Sequence, residues 1–422
     1  MSNRRNASTI SPQPAASAEQ KLSAYQKNIS RVSAIASCVS LGLALLVICG
    51  AAAFGQTNES QPNLSPGAGQ IFVHSQFGGQ IFGFDIDQNG SEGLLAEAKS
   101  LPNGNVLAAV ETFDQTTGKI VRVVELTQPI YPDDDFITMG VVGNSVGLVE
   151  HEHVQKGFVA NRTFSTLNPL EGNNLTGTWT PSLGPAHIIM PAGVSRSQGV
   201  PNVAVFAYDN SGQFIPWVFS SNVANNTFGP IVKITDSTNF ASVPPPIAYD
   251  SVTNQAVLGG GTGAFGRRPV IGVVDLTAGR FTEFEGIGFG FVNGIAIDSA
   301  DGVFCTDTED DASVEFYNLA TQTGFTVVLP GSGEQQIYSG ADVEFDPVHK
   351  LFLIAQPVSS SAPSGSTIYV YDTSGRLQET INGFNFPGGN VVPVHVALHP
   401  SLRSGYVDGP DPGVTEIQSF TY

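Results

Sequence analysis

Four short segments decide the fold of this 422-residue chain: Ile247-Ala248-Tyr249-Asp250, Ile295-Ala296-Ile297-Asp298, Val343-Glu344-Phe345-Asp346 and Val396-Ala397-Leu398-His399. Each alternates apolar residues into a polar fourth position, then gives a short polar turn and a second apolar run. The last copy keeps the pattern but has His where the others have Asp. The fourth positions are 48, 48 and 53 residues apart. Self-similarity at a fixed period means stacked units, each burying its apolar face against the next.

A second hairpin type falls between these segments. Phe84-Asp85, Val274-Asp275 and Tyr371-Asp372 each precede a turn, most plainly in YDTSGRLQETI from Tyr371 to Ile381. Asp caps such turns through its carboxylate, and Gly or Asn supplies the positive φ. Two hairpins make four strands per repeat of about 50 residues, which is a propeller blade. The expected fold is therefore all-β, a β-propeller of four-stranded blades. Gly69 to Tyr422 is 354 residues, which divides into seven blades, with six or eight left open. Between Phe136 and Pro246 the repeat is degraded and not every strand can be placed. Ring closure is expected to pair a strand near Ile71–Phe84 with the strands near Gly405–Tyr422, because closure removes exposed edges.

Composition agrees. There are 47 Gly and 27 Pro, too many breakers for a helical or coiled-coil protein. Charged residues make up 13% and hydrophobic ones 41%, so the chain has ample material for a core and is not disordered. Five of the 18 basic residues precede position 32, leaving a net charge of −23 from Val32 onward. A surface that acidic repels phosphate backbones and excludes nucleic acid as a partner.

The strand starts, read as hydrophobic-Ala-hydrophobic-Asp followed by Pro or Ser, together with the YDTSG-type hairpins, resemble the YVTN/NHL-type propeller repeats of exported bacterial proteins. The resemblance covers about Gly69–Tyr422 and is clearest after Pro244. It implies a fold and little about activity, since such relatives include lactonase-like enzymes and propellers of no known activity. No catalytic residue carries over from it.

The N-terminus reads as an export segment, residues 1–55. Arg4, Arg5, Lys21, Lys27 and Arg31 precede Val32–Phe54, 23 residues without a charge. That is the layout of a secretory signal, with small residues at Ala51–Ala53 and Gly55. It is also long enough to stay as a membrane anchor. Either way the remainder is expected outside the cytoplasm, with the membrane touched only through residues 32–54. Gln56–Ala68 reads as a flexible linker. Cys38 and Cys49 lie in the export segment, so Cys305 is left alone and no internal disulfide is expected.

Several motifs have ordinary explanations. Gly143-x-Ser145-x-Gly147 matches a nucleophile elbow, but that needs a strand-to-helix turn in a parallel sheet. Gly261–Gly266 matches a dinucleotide fingerprint but precedes the strand-like VIGVVDL instead of a helix. Asp85–Gly90 looks like half a calcium loop, yet its twelfth position is Ala96. His151-Glu152-His153 places two imidazoles on one strand face without a third ligand.

Two constellations carry more weight. Asp307, Glu309, Asp310 and Asp311 place four carboxylates in five residues, between the second and third strands of their blade. They repel one another unless solvated or bridged by a cation, for which calcium is the natural candidate. Asp342 and His395 each directly precede a first strand, so they hold equivalent places in successive blades at the mouth of the central channel. The counterparts Gly294 and Pro246 leave room beside them. Such a pair can bind a ligand, hold a metal, do acid–base work or cap a turn. The function expected is an exported propeller that binds an unknown small molecule or protein at this rim. The alternative is a metal-assisted, lactonase-like hydrolase using the channel mouth.

Overall fold

The computed structural model describes residues 65–88, 90–102, 106–125, 137–142, 145–150, 163–167, 175–179, 189–196, 202–209, 215–222, 227–234, 246–250, 252–261, 268–287, 290, 292–308, 313–330, 342–356, 367–384, 395–408 and 416–422. The export segment Val32–Phe54 and the motif His151–His153 lie outside the described residues.

The described strands sort into seven four-stranded antiparallel sheets. Six run in chain order from an inner to an outer strand, as in Val292–Asp298, Val303–Thr308, Ser313–Asn318 and Thr323–Val328. The seventh joins both ends of the ring: Val396–His399, Ser404–Asp408 and Glu416–Thr421 are completed by Gly67–His74. Val73 pairs with Ile417 and Phe72 with Gln418 in that closing ladder. The first strands of successive sheets touch one another in order, and Val396–His399 touches Gln80–Ile86, so the ring closes. The stretch where the repeat fades holds two of the sheets, one from Ile137–Val142 to Leu175–Trp179 and one from Ile189–Arg196 to Thr227–Lys233.

Burial grades from inside to outside. Val292–Asp298 is buried at all but one position, whereas Thr323–Val328 and Arg280–Glu285 are mostly exposed. A strand covered on both faces reads as a nearly continuous apolar run, which is why the inner strands carried the sequence signal. Between sheets, Cys305, Val314 and Phe316 pack on Val343, Phe345, Phe352 and Ile354. On the other face Phe304 and Tyr317 pack on Val257 and Ile271.

The polar fourth positions fasten neighbouring sheets. Lys350 Nζ donates to both oxygens of buried Asp298, one sheet back, at 2.7 and 2.9 Å. Tyr422 Oη donates to Asp346 at 2.9 Å. His399 Nε2 donates across the closure to the Gly90 carbonyl at 3.3 Å. Four residues beyond each fourth position the backbone is left-handed: Asn254 (φ 54°), Gly302 (64°), Lys350 (59°) and Arg403 (48°). Gly or Asn suits that place. Lys350 and Arg403 occupy it against preference, and both reach back to the preceding sheet, Lys350 to Asp298 and Arg403 to Glu379.

The pairing changes one assignment. Phe84-Asp85 does not begin the outer hairpin: it lies in the first strand Gln80–Ile86, where Phe84 pairs with Leu95 as Ile295 pairs with Thr306. The true outer-hairpin residue of that sheet is Asp114, whose carboxylate accepts from the Thr116 and Thr117 amides. Phe84-Asp85-Ile86-Asp87 is thus another copy of the inner-strand repeat, disguised because its first apolar-Asp pair also fits the second hairpin type.

Candidate functional site

Asp342 opens the strand Asp342–Asp346, and His395 stands one residue before Val396–His399 in the next sheet. Asp342 Oδ1 accepts from the amide of Val343 and Oδ2 from that of Val396, both at 2.9 Å. Its carboxylate therefore ties two inner strands together. His395 is held by a residue the sequence reading passed over, Asp408. The Asp408 carboxylate accepts from the His395 amide at 2.6 Å and meets the ring at Nδ1 at 2.7 Å. The Asp408 amide donates back to the His395 carbonyl.

Electrostatics follow from this geometry. Burial works against a charged imidazole, but the charge and hydrogen bond of Asp408 and the charge of Asp342 outweigh it, lifting His395 to about 9. Burial lifts Asp342 to about 6, against the pull of His395 and its two amides. At neutral pH the site is an imidazolium between two carboxylates. Its side chain keeps 38% of its surface open, whereas that of Asp408 keeps 4%. With Nδ1 engaged and the ring protonated, His395 offers Nε2–H as a donor; it is neither a base nor a metal ligand in this state.

Asp408 was legible in principle. It lies nine residues after His399, and Asp307 lies nine after Asp298. Both stand at the end of a second strand, with Asp307 facing Gly294 in the ladder where Asp408 faces His395. Gly294 has no ring to offer, and neither carboxylate oxygen of Asp307 has a hydrogen-bond partner. Asp307 is also not on the connecting loop where the acidic run placed it. It belongs to the strand Val303–Thr308 and is 1% exposed. Burial pushes its carboxyl well above the usual range, and Glu315 repels its charge; the Thr308 amide favours the charge in part, without making a hydrogen bond. Glu309, Asp310 and Asp311 lie outside the described residues.

The motifs with ordinary explanations resolve where they are described. Ser145 pairs with Val142 in an antiparallel ladder, with no helix after it. Gly261 ends a strand that pairs with Pro269–Asp275, so no helix follows the glycine pattern.

A ring of four-stranded antiparallel sheets closed by the chain ends invites comparison with known structures. No protein-family model and no curated protein matches the chain. Among solved structures it is similar to U3-55K, with a TM-score of 0.56 and 12% identity over 85% of this chain and 100% of that one. It is likewise similar to the WD40 repeats of RRP9, with a TM-score of 0.55 and 12% identity over 84% of this chain and 99% of that one. The fold is a β-propeller. At that identity the likeness extends to the fold of the propeller alone, and its chemistry has to be read from its own residues.

Proposed function

We propose that this chain is an exported propeller that binds a small-molecule or protein ligand at the rim carrying Asp342 and His395, with no nucleic-acid partner. The observation that supports it is the clasp of Asp408 on His395. A fixed imidazolium with an open donor edge recognises an acceptor such as a ligand carboxylate, and both flanking carboxylates already hold backbone amides or the ring. The same clasp speaks against the hydrolase reading, which needs His395 as a neutral base or ligand near pH 7. Export rests on the basic stretch before the uncharged Val32–Phe54. Propeller neighbours that are WD40 proteins accord with a binding role.

A thermal-shift panel of acetate, malonate, succinate and phosphate tests the site. Stabilisation by at least one carboxylate is expected in the native chain and in His349→Gln, and is expected to vanish in His395→Gln. Lactone or ester hydrolysis that depends on His395 would instead establish the enzyme. Cell fractionation and N-terminal sequencing test export.

A further inference from the structure

The turns that join first to second strands, and third to fourth, share one rim of the ring. Lys350 reaches Asp298 from turn to turn, His399 meets the Gly90 carbonyl, and Tyr406 Oη donates to the Gln115 carbonyl in an outer turn. This rim lies opposite the one carrying Asp342 and His395. In the last sheet His399 faces Ser404 at the turn end, whereas Val396, next to His395, faces Val407 towards the other end.

Charge is divided between the two rims. The molecule is acidic, yet five of the 13 basic residues from Val32 onward, Lys119, Arg280, Lys350, Arg376 and Arg403, lie in or beside these turns. Lys119, Arg280 and Arg376 are exposed, and the side chains of Lys350 and Arg403 stay partly open. The carboxylates of the turns do little to offset them at the surface. Asp250, Asp298 and Asp346 are buried, and Asp114, Asp275 and Asp372 accept from amides of their own turns. Among the described turn residues Asp301 is the exposed acid.

Apolar side chains stand among these cations. Val252 is 85% exposed, Val348 60% and Leu402 47%, each in an inner turn. Side chains so open add little to the core. The chain also enters the ring at this rim. Gly67 pairs with Thr421 beside the turn Pro400–Arg403, and Thr421 Oγ1 donates to the Ser65 carbonyl at 3.0 Å. The uncharged Val32–Phe54 ends eleven residues before Ser65 in sequence.

We propose that this turn rim docks on an anionic lipid bilayer, with Val252, Val348 and Leu402 entering the headgroup layer and Lys119, Arg280 and Arg376 meeting lipid phosphates. Basic residues around apolar groups are what such a surface attracts, and a neutral bilayer leaves the cations without partners. The exposed groups stand on turn tips around a rim and not in a groove, which suits a flat surface better than a peptide. Docked in this way, the acidic rim of Asp342 and Asp408 points away from the lipid charge. The surface is separate from His395 and does not depend on the function proposed there.

The test is hydrogen exchange on the full-length chain reconstituted with vesicles of phosphatidylcholine alone or mixed equally with phosphatidylglycerol. Amides of residues 252–254, 348–350 and 401–403 are expected to exchange at least about threefold more slowly with the anionic lipid. Those of residues 342–346 should exchange equally in both. About 0.5 M sodium chloride should remove most of the slowing, because it screens the cations. Lys119→Glu combined with Arg280→Glu is expected to abolish it, as is Val252→Asp combined with Val348→Asp. Thermal melts check that the variants fold, and the salt response of the native chain decides the matter if they do not. Equal exchange in the two lipids, or slowing that survives salt and both double variants, would overturn the proposal. So would slowing that appears without lipid as protein concentration rises, which would assign the rim to a second copy of the chain.

Discussion

Asp408 shows how much one carboxylate can settle. It takes the amide and the ring of His395 and leaves the imidazolium one free donor edge. Asp408→Asn removes the charge that sustains the proton. The His395 titration, followed by NMR of the imidazole protons, is then expected to fall well below about 9, since burial is opposed only by the charge of Asp342. In linkage terms His395 is raised on folding, so its stabilising contribution is complete below about 6.5 and is lost as pH rises through about 9. The Asn variant should therefore be less stable at pH 6, by on the order of 1–3 kcal/mol, and should close on the native protein at pH 9.5. Denaturant melts at the two pH values check this. His395 and Asp342 were legible because each precedes a recognisable strand start. Asp408 stayed hidden because it ends a second strand whose repeat is weak in sequence.

At the scale of the element, turns and loops hold the sheets in register. Gly302 sits at φ 64° in the inner turn of its sheet. Gly302→Ala is expected to cost about 1 kcal/mol in denaturant melts, while Asn254→Gly at the matching turn should change stability by a few tenths. The loop from Ser75 to Gly79 is held by buried Glu97 and Glu111: Glu97 accepts from the Ser75 hydroxyl and the Gly79 amide, and Glu111 from the amides of Gln76 and Phe77. Burial, with the charge of Glu111, lifts Glu97 to about 8, against the hydrogen bond from Ser75. A carboxyl raised on folding favours the native state fully below about 4.5, and that contribution drains away as pH rises to about 8. Glu97→Gln keeps the size of the side chain and an oxygen for Ser75 and the Gly79 amide, without the titration. Its melting temperature should lose less between pH 5 and 8.5 than that of the native chain, with a gain at pH 8.5 on the order of a few kcal/mol. An identical pH slope in both proteins would reject a raised Glu97 titration. Asp342 and Asp307 are raised by burial as well, so the variant should retain some of the slope.

For the whole molecule, stability depends on closing the ring. Gly67–His74 completes the sheet of the C-terminal strands, and Gln418 Nε2 adds a bond to the Gly69 carbonyl at 2.8 Å. Deleting Gly67–His74 bares the edge of Glu416–Thr421 and the apolar side chains of Ile417 and Phe420, both buried in the native ring. Unpaired edges template association. The shortened chain is expected to be aggregated or unfolded by size-exclusion chromatography and circular dichroism, and a soluble monomer with native melting would refute the dependence on closure.

The sequence by itself determined the sheet type, the period and the side on which ligands are sought. Inner strands are buried on both faces, so their apolar runs, Asp caps and turn glycines must recur whatever surrounds them. Phe84-Asp85-Ile86-Asp87 escaped because its first apolar-Asp pair also fits the second hairpin type, and the region from Phe136 to Pro246 because its repeat is degraded. The tertiary structure decided the partners. Asp298 reaches Lys350 and Asp346 reaches Tyr422 only because one sheet is stacked on the next. Asp307 and Asp408 occupy one register position yet differ in partner, since the ladder sets Gly294 against the first and His395 against the second. Burial and pairing between distant segments fix the charge of such groups, and no spacing along the chain records them.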